Sequence, residues 1–203
     1  NNVIDAVIAH EMAHQWWAHQ IVGANMQGAT MLSESFAEYS ALMTMKSISK
    51  TPMKMREFLK YDHNRYLRGR GTEIEAEQPL YKVENQSYIH YGKGAVILYA
   101  LQDYIGEEKV NRAMQGFLNE YKYQPPPYPN SLDFMKYLEK EVPDSLQYLI
   151  TDWIKEITLY DNRVKSAAYT PLENGKFEII LEIESHKIRA DSLGNETKIA
   201  IND

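Results

Sequence analysis

The stretch HEMAHQWW puts His10 and His14 four residues apart with Glu11 between them. If the stretch is helical, both imidazoles share one face one turn apart, and Glu11 lies about 100° around from His10. That is the geometry of an HExxH zinc motif. Zinc takes nitrogen and oxygen ligands tetrahedrally, and a reactive site needs three protein ligands with one position left for water. The third ligand must come from another element. LSESFAEYSALM offers Glu34 and Glu38, again one turn apart. Glu34 would complete the set His10, His14 and Glu34, and Glu38 would stand behind it, accepting a hydrogen bond from the far nitrogen of a ligand histidine. The competing readings are two surface histidines on an amphipathic helix and a solvated glutamate face.

The elements that must position these groups are mostly helical. Val3, Ile4, Val7 and Ile8 recur at helical spacing, which predicts a first helix over 3–19. A second begins near 30–33. Thr51-Pro52 opens a third, with proline at the first helical position, ending near Gly69. Residues 69–87 are polar and read as a long functional loop or a loosely ordered wall. A fourth helix spans 88–104 and is closed by Gly106; a fifth follows with acids in its first turn. QPPPYPN breaks the chain, Ser131 opens a sixth, and Pro143-Asp144-Ser145 opens a last helix through Trp153. After Tyr160 the pattern alternates, with turns at Glu173-Asn174-Gly175 and Leu193-Gly194-Asn195. The expected fold is mainly α, a helical catalytic part over 1–160, followed over 161–203 by the opening strands of a small β-sandwich-like domain.

Composition narrows the partners. The 203 residues carry a net charge of -6, which gives no basic patch for nucleic acid or anionic lipid. No cysteine is present, so His and carboxylates are the strong metal ligands available. No apolar run reaches the roughly 18–20 residues that span a bilayer, so no membrane segment is expected. The absence of cysteine fits cytoplasm and periplasm equally. Because the chain opens inside its motif helix, it reads as a piece of a longer protein whose remainder is a partner.

HEMAHQWW followed by SESFAEY resembles the gluzincin aminopeptidases, the group that contains aminopeptidase N and leukotriene-A hydrolase. Their pattern is HExxH, eighteen residues, then Glu in a segment like NEGFAEY. Here nineteen residues separate His14 from Glu34, and the extra one is expected in the turn GANMQGAT. YIHYGKGAVILYAL is similar to the family's Tyr-x-Lys-Gly segment, which places Tyr91 at the position of its transition-state tyrosine; a packed helix-start tyrosine is the alternative.

The resemblance implies a thermolysin-like metallopeptidase fold, a Zn2+ cofactor and peptide substrates cleaved at the N-terminus. Zinc on His10, His14 and Glu34 would activate water, Glu11 would take its proton and pass it to the leaving amine, and Tyr91 would stabilise the oxyanion. The family's Gly-x-Met-Glu-Asn segment, which binds the free amine, is absent from the nine residues before His10. The piece alone is therefore expected to be weakly active or inactive. The alternative is a non-catalytic accessory domain of a larger, membrane-attached, transporter-like protein; hydrolysis of an epoxide is a third possibility.

Of the remaining residues, His19, His63, His90 and His186 lack ligand spacing and read as structural. Trp16 and Trp17 read as packing aromatics, and Lys93 as a solvated lysine beside a close-packed Gly94. Glu73, Glu75, Glu77, Arg65, Arg68 and Arg70 read as a solvated surface, with a loop there able to border a cleft.

Overall fold

The computed structural model describes residues 2–49 and 51–201. The extreme ends of the two expected spans, residues 1, 202 and 203, lie outside the described part. The mainly helical architecture with a small trailing sheet is borne out. Helix α1 spans Asn2–Ala13, and α2 spans Phe36–Ser49 after a π turn at Met31–Ser35. α3 is Pro52–Thr72, and a second π turn, Tyr88–Lys93, leads into α4, Gly94–Ile105. α5 is Glu107–Tyr121, α6 is Ser131–Glu141, and the short α7, Gln147–Ile150, runs into a third π turn, Thr151–Lys155. Three antiparallel strands follow in the order β1-β2-β3: Ile157–Pro171, Phe177–Ala190 and Glu196–Ile199.

α1 stops at Ala13, six residues before the expected end. The chain turns because the His14 ring bonds the Trp17 carbonyl and Ala18 takes a φ of 123°. Trp17 then forms an isolated bridge with Ile21. Positive φ is costly for alanine, on the order of 1–3 kcal/mol, so the turn persists because its surroundings enforce it. Trp17 is buried beside Phe36 with rings 5.1 Å apart, whereas Trp16 stays 43% exposed. The apolar residues that suggested the helix, Val3, Ile4, Val7 and Ile8, are each more than half exposed. Their spacing made a helix but not a buried face.

The core lies on the other side of α2. Phe36, Phe117 and Phe134 are fully buried, with ring pairs 4.6 to 6.4 Å apart drawn from α2, α5 and α6. Each such pair adds about 0.5–1.5 kcal/mol beyond its buried area. α6 starts from a capping box: the Asn130 side chain accepts from the Leu132 and Asp133 amides, and Asp133 accepts from the Asn130 amide. That places the cap one residue before the expected Ser131.

The expected polar loop at 69–87 is more structured than its composition suggested. α3 runs on to Thr72, because Gly69 is a packing residue whose added Cβ would lie 2.2 Å from Tyr88 Cβ. Leu80 and Val83 are fully buried, and the Glu77 amide donates to Ser192 in the β2–β3 turn. The sheet begins at Ile157, before the expected alternation, and is pinned by Lys187 and Arg189, 2.7 and 2.5 Å from the Asp152 carboxylate. Gly106, at φ 94°, closes α4 and opens α5 in a conformation a side chain would strain.

The first two π turns meet at one point. Ser35 Oγ donates to the His90 carbonyl at 2.6 Å, and a Cβ on Gly94 would lie 2.2 Å from Ser35 Oγ. The close packing expected of Gly94 is what the structure shows. Gly94→Ala should destabilise the protein by about 1–3 kcal/mol through overpacking. Gly71→Ala, with nothing within 4 Å, should leave stability unchanged or raise it by up to about 1 kcal/mol. Denaturant unfolding of both variants checks this, and equal effects would contradict it.

Candidate metal centre and cleft

α1 and the first π turn bring three side chains to one point. His10 Nε2 lies 3.1 Å from His14 Nε2, and Glu34 Oε2 lies 3.3 Å from the first and 3.5 Å from the second. Among the described residues, this is the group whose ligand atoms could hold a metal ion together. The nineteen-residue spacing therefore does not keep Glu34 away. A π turn takes more residues per turn than an α-helix, so Met31–Ser35 offers a place for an extra residue inside the element that carries Glu34.

The orientation of each imidazole follows from what stands behind it. His14 Nδ1 is 2.8 Å from the Trp17 carbonyl. A carbonyl can only accept, so Nδ1 donates and Nε2 is left to carry a lone pair. His10 Nδ1 is 2.6 Å from Glu38 Oε2, close enough for an ion pair though outside hydrogen-bond alignment. Glu38 thus stands behind His10, and the Glu34 oxygen facing both rings is buried with no hydrogen-bond partner.

That arrangement fits a metal ion. Zinc–nitrogen bonds of about 2.0–2.1 Å at tetrahedral angles put ligand atoms about 3.3 Å apart. The three separations of 3.1, 3.3 and 3.5 Å match. Nitrogen and carboxylate donors without thiolate suit zinc.

Without a metal, a proton must do the same work. Burial pulls the His10 pKa down, but the Glu34 and Glu38 carboxylates outweigh it and hold it at about 9. Glu34, paired with His10 against the effect of burial, falls to about 2. Tyr91 rises to about 12 through burial and then the Glu34 carboxylate, so its phenol stays protonated as a donor. Its ring lies 5.6 Å from that of His10.

A cavity of about 730 Å³ opens beside the cluster, with His10, Glu11, Glu38 and Tyr91 on its polar wall and Leu42, Met45 and Phe58 on its apolar one. Glu11 is exposed there. Two further residues line the cavity that the motifs did not single out. Asp62 is 2% exposed, and burial followed by the charge of Glu38 pushes its pKa up to about 8. A charged residue interrupting the buried α3 stripe of Met55, Asp62 and Tyr66 was the available signal. Arg65 is not part of a solvated surface; its guanidinium lies over the Tyr91 ring, 4.3 Å from the centroid.

Other expectations change too. Lys93 is 6% exposed, 5.5 Å from the Tyr66 ring centroid, and burial lowers its pKa to about 8. Its alkyl stem fills space that the sequence could not reveal. Glu77 is likewise buried, accepting from Tyr66 Oη at 2.7 Å and Arg70 Nε at 2.9 Å. Glu73, Glu75 and Arg68 stay exposed. His19 holds the His14 carbonyl, His63 is exposed, His186 pairs with Glu184, and burial lowers His90 to about 4.

The raised His10 value fixes a pH dependence for the metal-free protein. Because the folded value exceeds the ordinary 6.5, this contribution is complete below about pH 6.5 and disappears as pH rises through 9. Glu38→Gln should therefore cost about 1–2 kcal/mol near pH 6 and almost nothing above pH 9.5. Denaturant unfolding of the metal-free pair measures the difference; a cost independent of pH would contradict it.

Comparison with known proteins agrees with this geometry. The chain is 25% identical over 231 residues to a probable aminopeptidase 1 of Sulfurisphaera tokodaii, covering 98% of this chain and 29% of that protein. It is 31% identical over 122 residues to tricorn protease-interacting factor F2 of Thermoplasma acidophilum, covering 57% and 16%. The chain thus spans less than a third of the length of these relatives. The fold is similar to the crystal structure of the M1 zinc metallopeptidase from Deinococcus radiodurans, with a TM-score of 0.55 at 20% identity, over 73% of this chain and 32% of that one. The peptidase family M1 domain matches residues 1–153. With three-quarters of its length matched to that domain, the chain belongs to peptidase family M1.

Proposed function

We propose that this chain carries the catalytic centre of a zinc-dependent aminopeptidase that removes N-terminal residues from peptides. The observation that carries this reading is the convergence of His10 Nε2, His14 Nε2 and Glu34 Oε2 beside a cavity that Glu11 and Tyr91 also line. The aminopeptidase names of relatives support the substrate class.

His10, His14 and Glu34 would hold the zinc, which when bound would supply Lewis acidity to acidify water and polarise the scissile carbonyl. Glu11 takes the water proton and returns it to the leaving amine, the task of a carboxylate beside the metal ligands. Tyr91, protonated at neutral pH, donates its phenolic hydrogen to the developing oxyanion. Glu38 keeps the His10 ring oriented through Nδ1. The apolar cavity wall of Leu42, Met45 and Phe58 excludes water from a bound peptide.

In this reading the strands over 157–199 open a β-sandwich-like domain, and the rest of a longer chain completes the substrate site. Val3 and Val7 line the cavity while more than half exposed, which leaves that wall open. The 203 residues alone are therefore weakly active or inactive.

The test uses the full-length protein. Metal analysis should find one zinc, with hydrolysis of a free-amine aminoacyl reporter and not of its N-blocked counterpart. Glu11→Gln should keep the zinc and lower kcat by about 10²–10⁴-fold. Near-normal turnover by Glu11→Gln would contradict the role of Glu11. Bound zinc with no hydrolysis of either reporter would point to the accessory-domain reading.

A further inference from the structure

We infer that Arg65 is a positioning residue for Tyr91, holding the phenol's ring plane from the adjoining helix α3. This rests on the proposed role of Tyr91 as oxyanion donor. It starts from the contact between α3 and the second π turn. A Cβ on Gly92 would lie 2.8 Å from the Asp62 carbonyl oxygen and 2.9 Å from the Tyr66 amide nitrogen. Glycine next to Tyr91 therefore lets the π turn sit directly on the α3 backbone. That close approach brings Arg65, one residue before Tyr66, over the Tyr91 ring with its guanidinium carbon 4.3 Å from the centroid.

The stack is not a by-product of some other bond. Arg65 is the one arginine or lysine lining the cavity, and among the described residues it makes no ion pair or hydrogen bond. The ring is what it rests on. A planar guanidinium over the face of a phenol restricts rotation of the ring about its own bond to Cβ. The ring also meets the His90 imidazole at 4.4 Å, tilted by 70°, and the His10 ring at 5.6 Å. Tyr91 thus contacts one cation and two imidazoles. An oxyanion donor displaced by about 1 Å can lose on the order of 10²-fold in rate, so a group that fixes its plane shows up in turnover.

A positioning role predicts non-additivity, which a separate substrate contact does not. In the zinc-loaded full-length protein, Tyr91→Phe should lower kcat by about 10²-fold. Arg65→Met, which keeps an apolar stem, should lower kcat about tenfold with KM within about twofold, and should add nothing in the Tyr91→Phe background. Crystals of Arg65→Met should show the Tyr91 ring rotated or spread over more than one orientation. Arg65→Lys, which keeps the charge but loses the plane, should fall between the parent and Arg65→Met, and it replaces Arg65→Met if that variant does not fold. Equal losses in both backgrounds would overturn the inference. So would a loss confined to KM for substrates bearing a carboxylate, which would make Arg65 a substrate-binding group, or an unmoved ring. Full activity of Tyr91→Phe would instead sink the reading of Tyr91 itself, and the inference with it.

Discussion

Three lone-pair-bearing atoms converge within 3.5 Å of one another with nothing from the protein between them. Left to themselves, two imidazole nitrogens and a carboxylate oxygen repel. Only a cation or a proton at their centre turns the arrangement from a cost into a gain, and the raised His10 and lowered Glu34 values have the direction of a pair that shares a proton in the metal-free protein. Metal binding therefore displaces a proton, and affinity should weaken in acid. The surrounding structure keeps these atoms facing one another.

Each nearby irregularity serves that constraint. α1 ends at Ala13 so that the His14 ring can bond the Trp17 carbonyl instead of solvent. Glu34 sits in a π turn directly before Phe36, whose ring is fully buried against Trp17 and Phe134. The aromatic core fixes the register of α2, and with it the position of the glutamate two residues earlier. Ser35, between them, ties the first π turn to the second through the His90 carbonyl, and Gly94 makes room for it. Core, ligand and cleft wall are thus linked along three consecutive residues, Glu34 to Phe36, and one hydrogen bond.

The helices and the candidate ligands were legible because their signals are local. HExxH is a spacing within one turn, and the alternation after Tyr160 is a period-two pattern. The early end of α1 was not legible, since it depends on a side chain meeting a carbonyl three residues on, and helical periodicity continues through HQWW. The apolar stripe of α1 misled in another way: it specifies a helix, while its exposure depends on what packs against it. Lys93 and Glu77 were read by charge as solvated, yet Lys93 is buried over Tyr66 and Glu77 is held by Tyr66 and Arg70. Burial of a long or charged side chain is a tertiary property with no period of its own. Arg65 was read as solvated and Asp62 escaped notice for the same reason, because the α3 face they occupy becomes a cleft wall only when the second π turn docks on it.

The most direct test of the account is an anomalous difference map collected at the zinc edge from crystals of the zinc-loaded protein. The account predicts one strong peak about 2.0–2.2 Å from His10 Nε2, His14 Nε2 and a carboxylate oxygen of Glu34. A peak on any other set of residues, or none at these three in zinc-saturated crystals, would contradict it.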